Sequence, residues 1–223
     1  MFHVEHHKEE LLRKHLQWVL STNKIHNLTA ITDEAGAWRL HVLDSLAPLP
    51  EIMSASDGPL LDIGSGGGFP GVPLGVMSER ETVCLDSVKK KASALGEFLR
   101  SDEGYHNIAA QGLRAEELAA IQPDYYAITI ARAVAQLNSI VELASPILQI
   151  GGVCLCMKAH VTDEEIQAGD NAAEKCGLIR KQIRNYTLQG GDETRCIVEY
   201  VKVAQPQVNL PRRTGVAQKR PLS

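Results

Sequence analysis

The spacing of apolar residues divides the chain into an N-terminal helical part and a longer part in which strands and helices alternate. Residues 5–21 and 33–47 carry apolar side chains at helical spacing, so two helices are predicted with a polar loop between them. Strands are predicted near residues 60–63, 82–86, 107–111, 125–130, 152–158, 178–187 and 195–203. Helices are predicted near residues 71–78, 88–101, 114–120, 135–149 and 163–176.

This alternation predicts the fold class, because strand–helix–strand units form parallel strands joined by crossover helices. Only residues 189–192 separate the last two strands, which predicts an antiparallel hairpin. We expect an α/β Rossmann-like fold with a mostly parallel seven-stranded sheet that ends in an antiparallel hairpin, preceded by N-terminal helices. This arrangement is typical of class I methyltransferases that depend on S-adenosylmethionine (AdoMet).

The sequence predicts three segments. Residues 1–58 form an N-terminal helical extension packed on the core, and its last part, from Pro48 and Pro50 to Gly58, is predicted to be a linker. Residues 59–204 form the Rossmann-like core. Residues 205–223 form a basic tail with three prolines and no acidic residue, which predicts an extended conformation. The tail is either a frayed terminus or a strap against phosphate. As a strap, its removal from residue 210 onward should weaken RNA binding and leave AdoMet affinity unchanged.

The most informative segment is the glycine-rich run that follows the first predicted strand. The strand ends at Asp62-Ile63, and five glycines follow within residues 64–71. Glycine permits positive φ and lets a ligand lie against the main chain. Pro70 and Pro73 come where a helix should begin, and proline suits the first helical turn. The segment therefore predicts the nucleotide-binding loop of a doubly wound domain.

The identity of the nucleotide depends on which residues of this loop are aligned with a motif. Residues 66–71 match the G-x-G-x-x-G form of dinucleotide sites, whereas Asp62 to Gly68 have the acidic-x-G-x-G-x-G form of AdoMet sites. A carboxylate beside the loop would repel a pyrophosphate and suits the cationic amino-acid end of AdoMet. Asp86, after the second strand, is placed to bind ribose hydroxyls in either case. AdoMet is favoured, and an NAD-dependent oxidoreductase is the alternative.

Composition excludes several classes of protein. The net charge is −4, so a nucleic-acid partner must be bound by local basic patches. No apolar run reaches membrane-spanning length. The five scattered cysteines contain no C-x-x-C pair, which indicates buried thiols in a reducing compartment. We expect a cytoplasmic protein with no metal site, no membrane association and no obligate protein partner.

The residues near the predicted rim of the sheet bear on the methyl acceptor. No cysteine follows a proline, as methylation of pyrimidine C5 would require, and no N-P-P-Y-like turn follows the fourth strand. A ring nitrogen with a free lone pair, such as guanine N7, needs no general base. Arg132, at the predicted strand end, can hold a phosphate, a carboxylate or a guanine edge. His41, Asp44 and Ser45 share one helix face, which we expect to border the acceptor side.

Several strings, in order over residues 20–222, resemble the bacterial small-subunit ribosomal RNA guanine-N7 methyltransferase family RsmG, also called GidB. These strings are Asn27-Leu28-Thr29-Ala30-Ile31, Arg39-x-His41-x-x-Asp44-Ser45-Leu46, Asp62 to Leu74, Leu85-Asp86-Ser87 with Lys89-Lys90, Ala131-Arg132-Ala133-Val134-Ala135, Gly151-Gly152 leading to Met157-Lys158, and Pro211-Arg212-Arg213 to Lys219-Arg220-Pro221-Leu222. The sequence departs from the family at Ala94-Leu95, where a Phe-Leu pair is usual, and at Lys158-Ala159, where Lys-Gly is usual.

The resemblance implies AdoMet as the cofactor and, as the acceptor, a guanine N7 in a hairpin loop near the decoding region of 16S rRNA. It implies cofactor contacts at Gly64, Phe69, Ala115, Glu116 and Arg132. The loop and ribose arguments add Asp62, Gly66, Gly68 and Asp86. The predicted RNA-facing residues are Lys89, Lys90, Lys91, Arg212, Arg213, Lys219 and Arg220. The partner is then ribosomal RNA or the small subunit. A non-catalytic ribosome-binding factor on the same fold is a further alternative.

Overall fold

The computed structural model describes residues 6–223; residues 1–5, the start of the predicted N-terminal extension, lie outside the described residues. Seven strands form one sheet in the order β3-β2-β1-β4-β5-β7-β6. Strand β7 is antiparallel to both of its neighbours, and the other pairs are parallel, which confirms the predicted fold class. The strands are β1 (Leu60–Ile63), β2 (Thr82–Leu85), β3 (Ile108–Gln111), β4 (Tyr126–Arg132), β5 (Leu148–Lys158), β6 (Leu178–Thr187) and β7 (Thr194–Lys202).

Nine α-helices flank this sheet within residues 6–223. They are α1 (His6–His26), α2 (Glu34–Ala37), α3 (Leu49–Ser54), α4 (Gly71–Ser78), α5 (Lys89–Leu99), α6 (Ala115–Ile121), α7 (Leu137–Ala144), α8 (Asp163–Lys175) and α9 (Val216–Lys219). A π-helical segment, Trp38–Leu43, continues α2. The predicted second helix is therefore confirmed, and its middle part is π-helical. In this part of the chain no helix is both long and apolar enough to cross a membrane.

The two faces of the sheet carry different helices, because alternate residues of each strand point to opposite sides. Leu61 and Val83 pack with residues of α6, α7, α8 and α9. The neighbouring Cys84 packs with α1, α4 and α5 on the other face. The strand order reverses between β1 and β4, and the carboxyl ends of these strands form the rim where ligands bind in open α/β sheets.

The predicted linker is wrong, because helix α3 occupies most of it. Pro48 stands at the N-cap and Pro50 lies in the first turn, where a missing N–H costs nothing. Leu49 and Ile52 are buried in the same cluster as Leu60. Proline often interrupts a helix, but here it begins one whose apolar side covers the sheet.

The helix predicted over residues 135–149 ends early, at Ala144. Pro146 has no N–H to donate the next helical hydrogen bond, so the helix stops just before it, at its C-cap Ser145. Strand β5 therefore begins at Leu148, four residues before the predicted start at residue 152. Gly151 has φ +83°, and the β4–β5 register shifts nearby, so the strand is irregular at this point.

The tail is not extended as predicted. It folds back through α9 onto the core, where Ala217 is 2% exposed and Leu222 packs against the same cluster. Lys202 is the last residue of β7 rather than a tail charge, and it is fully buried. Its ammonium donates to the carbonyls of Ser145 and Leu148, both at 2.7 Å.

The predicted burial of the thiols is confirmed: all five cysteines are free and buried. Cys154 and Cys156 share one face of β5, and their Sγ atoms lie 3.8 Å apart. They fill the core beneath α7 and α8.

Candidate functional site

The glycine loop between β1 and α4 has the backbone that the sequence predicts for a ligand cradle. Gly64, Gly66 and Gly68 have φ values of +79°, +56° and +91°. A Cβ at Gly66 would meet no atom within 4 Å, so open space lies above the main chain there. A Cβ at Gly68 would lie 2.7 Å from Val72 Cγ2. The loop is therefore packed tightly on its inner side and bare on its outer side, as close approach of a ligand requires.

Asp62 supports this loop from below. Its side chain is fully buried, and Oδ2 accepts a hydrogen bond of 2.7 Å from the Gly71 N–H. A Cβ at Gly71 would lie 2.8 Å from the same oxygen, so only glycine fits. Oδ1 has no hydrogen-bond partner among the described residues. Burial raises the pKa of Asp62 to about 7. A buried, unpartnered carboxylate oxygen fits a cationic group better than a phosphate.

Asp86 joins the loop to the end of β2. Its Oδ2 accepts a hydrogen bond of 2.9 Å from the Gly66 N–H, and Oδ1 accepts one of 2.7 Å from the Val88 N–H. Each carboxylate oxygen has a further lone pair for a ligand hydroxyl. The ribose contact of Asp86 stays a prediction, and the residue lies beside the loop as that prediction requires.

A crevice, here called the cofactor crevice, opens at the carboxyl ends of β1 to β4. It brings together Gly64 of the loop with Ala115 and Glu116 at the start of α6. The remaining lining residues are Ile63, Leu85, Ser87, Leu113, Arg114, Val134, Leu143 and Gln218. The other residues predicted to contact the cofactor do not line this crevice; they are Asp62, Gly66, Gly68, Phe69, Asp86 and Arg132.

A second cavity, here called the acceptor groove, lies at the ends of β4 and β5. Asp44 is the centre of its polar wall and is buried. Its Oδ2 accepts a hydrogen bond of 3.1 Å from Arg132 Nη1, and its Oδ1 accepts one of 2.8 Å from the Tyr186 hydroxyl. The Nε of Arg195 lies 3.3 Å from the same Oδ1. Two guanidinium groups share one carboxylate, so this wall keeps a net positive charge.

Phe69 belongs to the glycine loop, and its ring packs against residues of the acceptor groove. The ring of His41 stacks on it with centroids 5.0 Å apart, and the Arg132 guanidinium carbon lies 5.7 Å from its centroid. Thr29 Oγ1 lies 2.6 Å from His41 Nε2. Burial and the charge of Arg132 lower the pKa of His41 to about 4, so the imidazole is neutral near pH 7. Ser45 is fully buried and donates to the His41 carbonyl, so the structure does not bring its hydroxyl to the groove.

Sequence reasoning missed three residues of this region. His15 of α1 is fully buried, its Nε2 lies 2.7 Å from the Gly67 carbonyl oxygen, and burial lowers its pKa to about 4. With Gly67 as the acceptor, Nε2 carries the proton. Position 15 lies on the apolar face of α1, so its spacing could have indicated that His15 is buried. Tyr186 and Arg195 are cross-strand partners, and only the β6–β7 register reveals them.

The predicted RNA-facing residues differ in their surroundings. Lys89 and Lys90 are exposed at the start of α5, and Lys91 is half-buried. Arg213, Lys219 and Arg220 are exposed on the tail. Arg212 instead forms an ion pair with the buried Glu142 through Nε at 2.6 Å and Nη2 at 2.5 Å. Its charge is therefore largely neutralised within the protein.

The sheet order, the glycine loop after β1 and the carboxylate after β2 together define a class I AdoMet-dependent methyltransferase fold. Solved structures agree with this class. A precorrin-6y C5,15-methyltransferase from Geobacter metallireducens matches with a TM-score of 0.53 and 16% identity, over 71% of this chain and 87% of that chain. A SAM-dependent methyltransferase from Methanosarcina mazei matches with a TM-score of 0.56 and 12% identity, over 72% and 99%.

The particular family follows from sequence comparison. The family model described as rRNA small subunit methyltransferase G, GidB, matches residues 8–194, and the chain belongs to this family. The ribosomal RNA small subunit methyltransferase G of Carboxydothermus hydrogenoformans is 34% identical over 98% of this chain and 94% of its own length. That of Thermotoga neapolitana is 34% identical over 90% and 86%. The resemblance noted in the sequence is thereby confirmed, and the nicotinamide alternative is disfavoured.

Proposed function

We propose that the protein transfers a methyl group from AdoMet to N7 of a guanine in the 16S RNA of the small ribosomal subunit. The observation that carries this proposal is that the two cavities adjoin at the end of β4. Arg132 and Ala133 line the acceptor groove, and the next residue, Val134, lines the cofactor crevice. A cofactor site and an acceptor site thus adjoin on one short segment, in a chain of the small-subunit RNA methyltransferase family.

The residues of the loop fit AdoMet. When bound, AdoMet supplies an electrophilic methyl group on a positively charged sulfur. Gly66 provides bare main chain for the ligand, Gly64 lines the crevice, and Asp62 provides a carboxylate oxygen without a partner among the described residues. Asp86 provides lone pairs for ribose hydroxyls. The predicted contacts of Ala115 and Glu116 are supported by their place in the cofactor crevice.

The acceptor groove suits a base whose reacting atom carries no proton. Guanine N7 needs no general base, and neutral His41, which lines the groove, offers a flat ring for stacking. Arg132 and Arg195 can hold guanine O6 or a phosphate, because guanidinium groups bind such oxygens through paired N–H groups. Asp44 keeps both guanidinium groups in place. The work of these residues is to position the base and exclude water.

The exposed basic residues support an RNA substrate. Lys89 and Lys90 follow Ser87, which lines the cofactor crevice, and Lys219 follows Gln218 on another part of its lining. Basic side chains near the mouth of the site can bind phosphates even though the whole chain has a net charge of −4. We propose the ribosomal subunit or its RNA as the partner and therefore the cytoplasm as the location.

The test is incorporation of labelled methyl groups into small subunits, and separately into bare 16S RNA, from cells that lack this protein. We expect N7-methylguanine at one nucleotide. Asp44→Asn should lower the methylation rate at unchanged AdoMet affinity, because it removes the anion between Arg132 and Arg195. Asp170→Asn, which removes a surface ion pair, is the matched control and should keep the rate.

Three results would contradict the proposal. Methylation at another atom would overturn the acceptor assignment. Binding of subunits without incorporation would establish the non-catalytic alternative. Stabilisation of the protein by NADH and not by AdoMet would establish the oxidoreductase alternative.

A further inference from the structure

The C-terminal tail forms part of the wall of the cofactor crevice. Gln218 of α9 lines the crevice together with Ala115 and Glu116 of α6. The tail is joined to this wall directly, because the Gly215 N–H donates a 2.7 Å hydrogen bond to Glu116 Oε1. The Ser139 hydroxyl of α7 donates to the Ala217 carbonyl at 2.9 Å. A residue that the family resemblance assigns to the cofactor is therefore in contact with the tail.

An ion pair holds the tail in this position. Glu142 of α7 is 3% exposed, and both of its oxygens accept hydrogen bonds from Arg212. The Leu222 N–H donates to the same carboxylate at 3.2 Å, and the Arg220 carbonyl accepts from Arg212 at 2.8 Å. Buried, bidentate pairs of this kind fix geometry well. Residues 212–222 therefore form a loop whose two ends are held at Glu142. This loop contains α9 and places it beside the crevice.

Gln218 differs from the other residues of the wall in having a free amide. Its side chain is exposed at the mouth of the crevice and has no hydrogen-bond partner among residues 6–223. An amide carries a donor next to an acceptor. The adenine edge presents an N6 amino donor next to a ring-nitrogen acceptor, so the two groups are complementary.

We propose that the tail is the adenine-side wall of the cofactor site and that the Gln218 amide recognises the adenine base. This inference rests on the proposed function, because it takes the crevice as the AdoMet site. It changes the expectation for the tail, whose loss should weaken cofactor binding as well as RNA binding.

The experiment compares two variants of the full chain. Gln218→Ala removes the proposed contact, and Lys219→Ala changes the exposed neighbour that does not line the crevice. Calorimetry gives the Kd of S-adenosylhomocysteine and of its analogue in which hydrogen replaces the N6 amino group, because the analogue keeps the ring-nitrogen acceptor and a rotated amide cannot restore the lost hydrogen bond. We expect the unmodified protein to prefer the adenosine compound. Gln218→Ala should weaken the binding of S-adenosylhomocysteine by about 3- to 10-fold. The preference for this compound over its analogue should fall by the same factor. Lys219→Ala should change neither value.

The outcomes separate this inference from the proposed function. If the unmodified protein does not bind S-adenosylhomocysteine, the crevice is not the AdoMet site and both proposals fail. If it binds, but Gln218→Ala leaves the preference for adenosine unchanged, only the inference about Gln218 fails. Arg212→Met, measured in parallel, should weaken the binding of S-adenosylhomocysteine and reduce the preference, because it frees the tail that carries Gln218. Unchanged affinity in Arg212→Met would show that the tail is not part of the cofactor wall.

Discussion

The ionisation of Asp62 leads to a stability measurement that needs no ligand. Asp62 is fully buried, and its pKa rises from an ordinary 3.8 to about 7 in the folded protein. The folded state therefore holds a proton between pH 4 and 7 that the unfolded chain has lost. The stabilisation from this proton is present in full below pH 3.8 and is lost as the pH rises through 7.

The perturbation is Asp62→Asn, which keeps an acceptor oxygen for the Gly71 N–H and cannot ionise. As the pH rises from 5 to 8, loss of the Asp62 proton should lower the free energy of unfolding of the unmodified protein by roughly 3 kcal/mol. His15 and His41 act in the opposite direction, because their pKa values are lowered to about 4 and they favour the folded state as the pH rises. Their contribution is common to both proteins and cancels in the difference.

The assay is urea denaturation of both proteins at half-unit steps from pH 5 to pH 8. The free energy of unfolding of the unmodified protein minus that of Asp62→Asn should fall steadily with pH and level off above 7. A difference that is constant with pH would show that Asp62 is already ionised beneath the loop at pH 5. That result would refute the desolvation of Asp62. The proposal that its unpartnered oxygen faces a cationic group depends on this desolvation.

Three further predictions concern the support of the site and its approach by RNA. Lys202→Met should lower the free energy of unfolding in urea by about 3 kcal/mol, because it removes the ammonium donor from two buried carbonyls and breaks the ion pair with Asp124, and AdoMet affinity should not change. His15→Ala should cost about 2–4 kcal/mol in the same assay and weaken AdoMet binding, because it empties a buried site and frees the Gly67 carbonyl; unchanged affinity would show that the loop needs no support from α1. Lys90→Ala should reduce the slope of log K for RNA against log salt concentration by about one, and an unchanged slope would exclude a phosphate contact.

Local sequence patterns determined the class of fold and the cofactor loop. Strand and helix positions follow from apolar spacing, which reports the burial of each face. The five glycines after β1 predicted a cradle because few other residues adopt positive φ, and Gly64, Gly66 and Gly68 have that geometry. The order of motifs along the chain was enough to indicate the family. Each of these signals is carried by residues that are close together in the sequence, so no knowledge of the sheet order was needed.

Only the tertiary structure decided which distant residues share a wall. Asp44 meets Tyr186 and Arg195 because the β6–β7 register and the π-helical segment place them together, and no local pattern encodes a contact across some 140–150 residues. Composition predicted that the tail is extended, because its prolines and basic residues carry no information about the residues that they contact in the fold. The partner that folds it back is Glu142, a buried carboxylate on α7. Long-range ion pairs depend on topology and depth of burial, and both are properties of the packed chain.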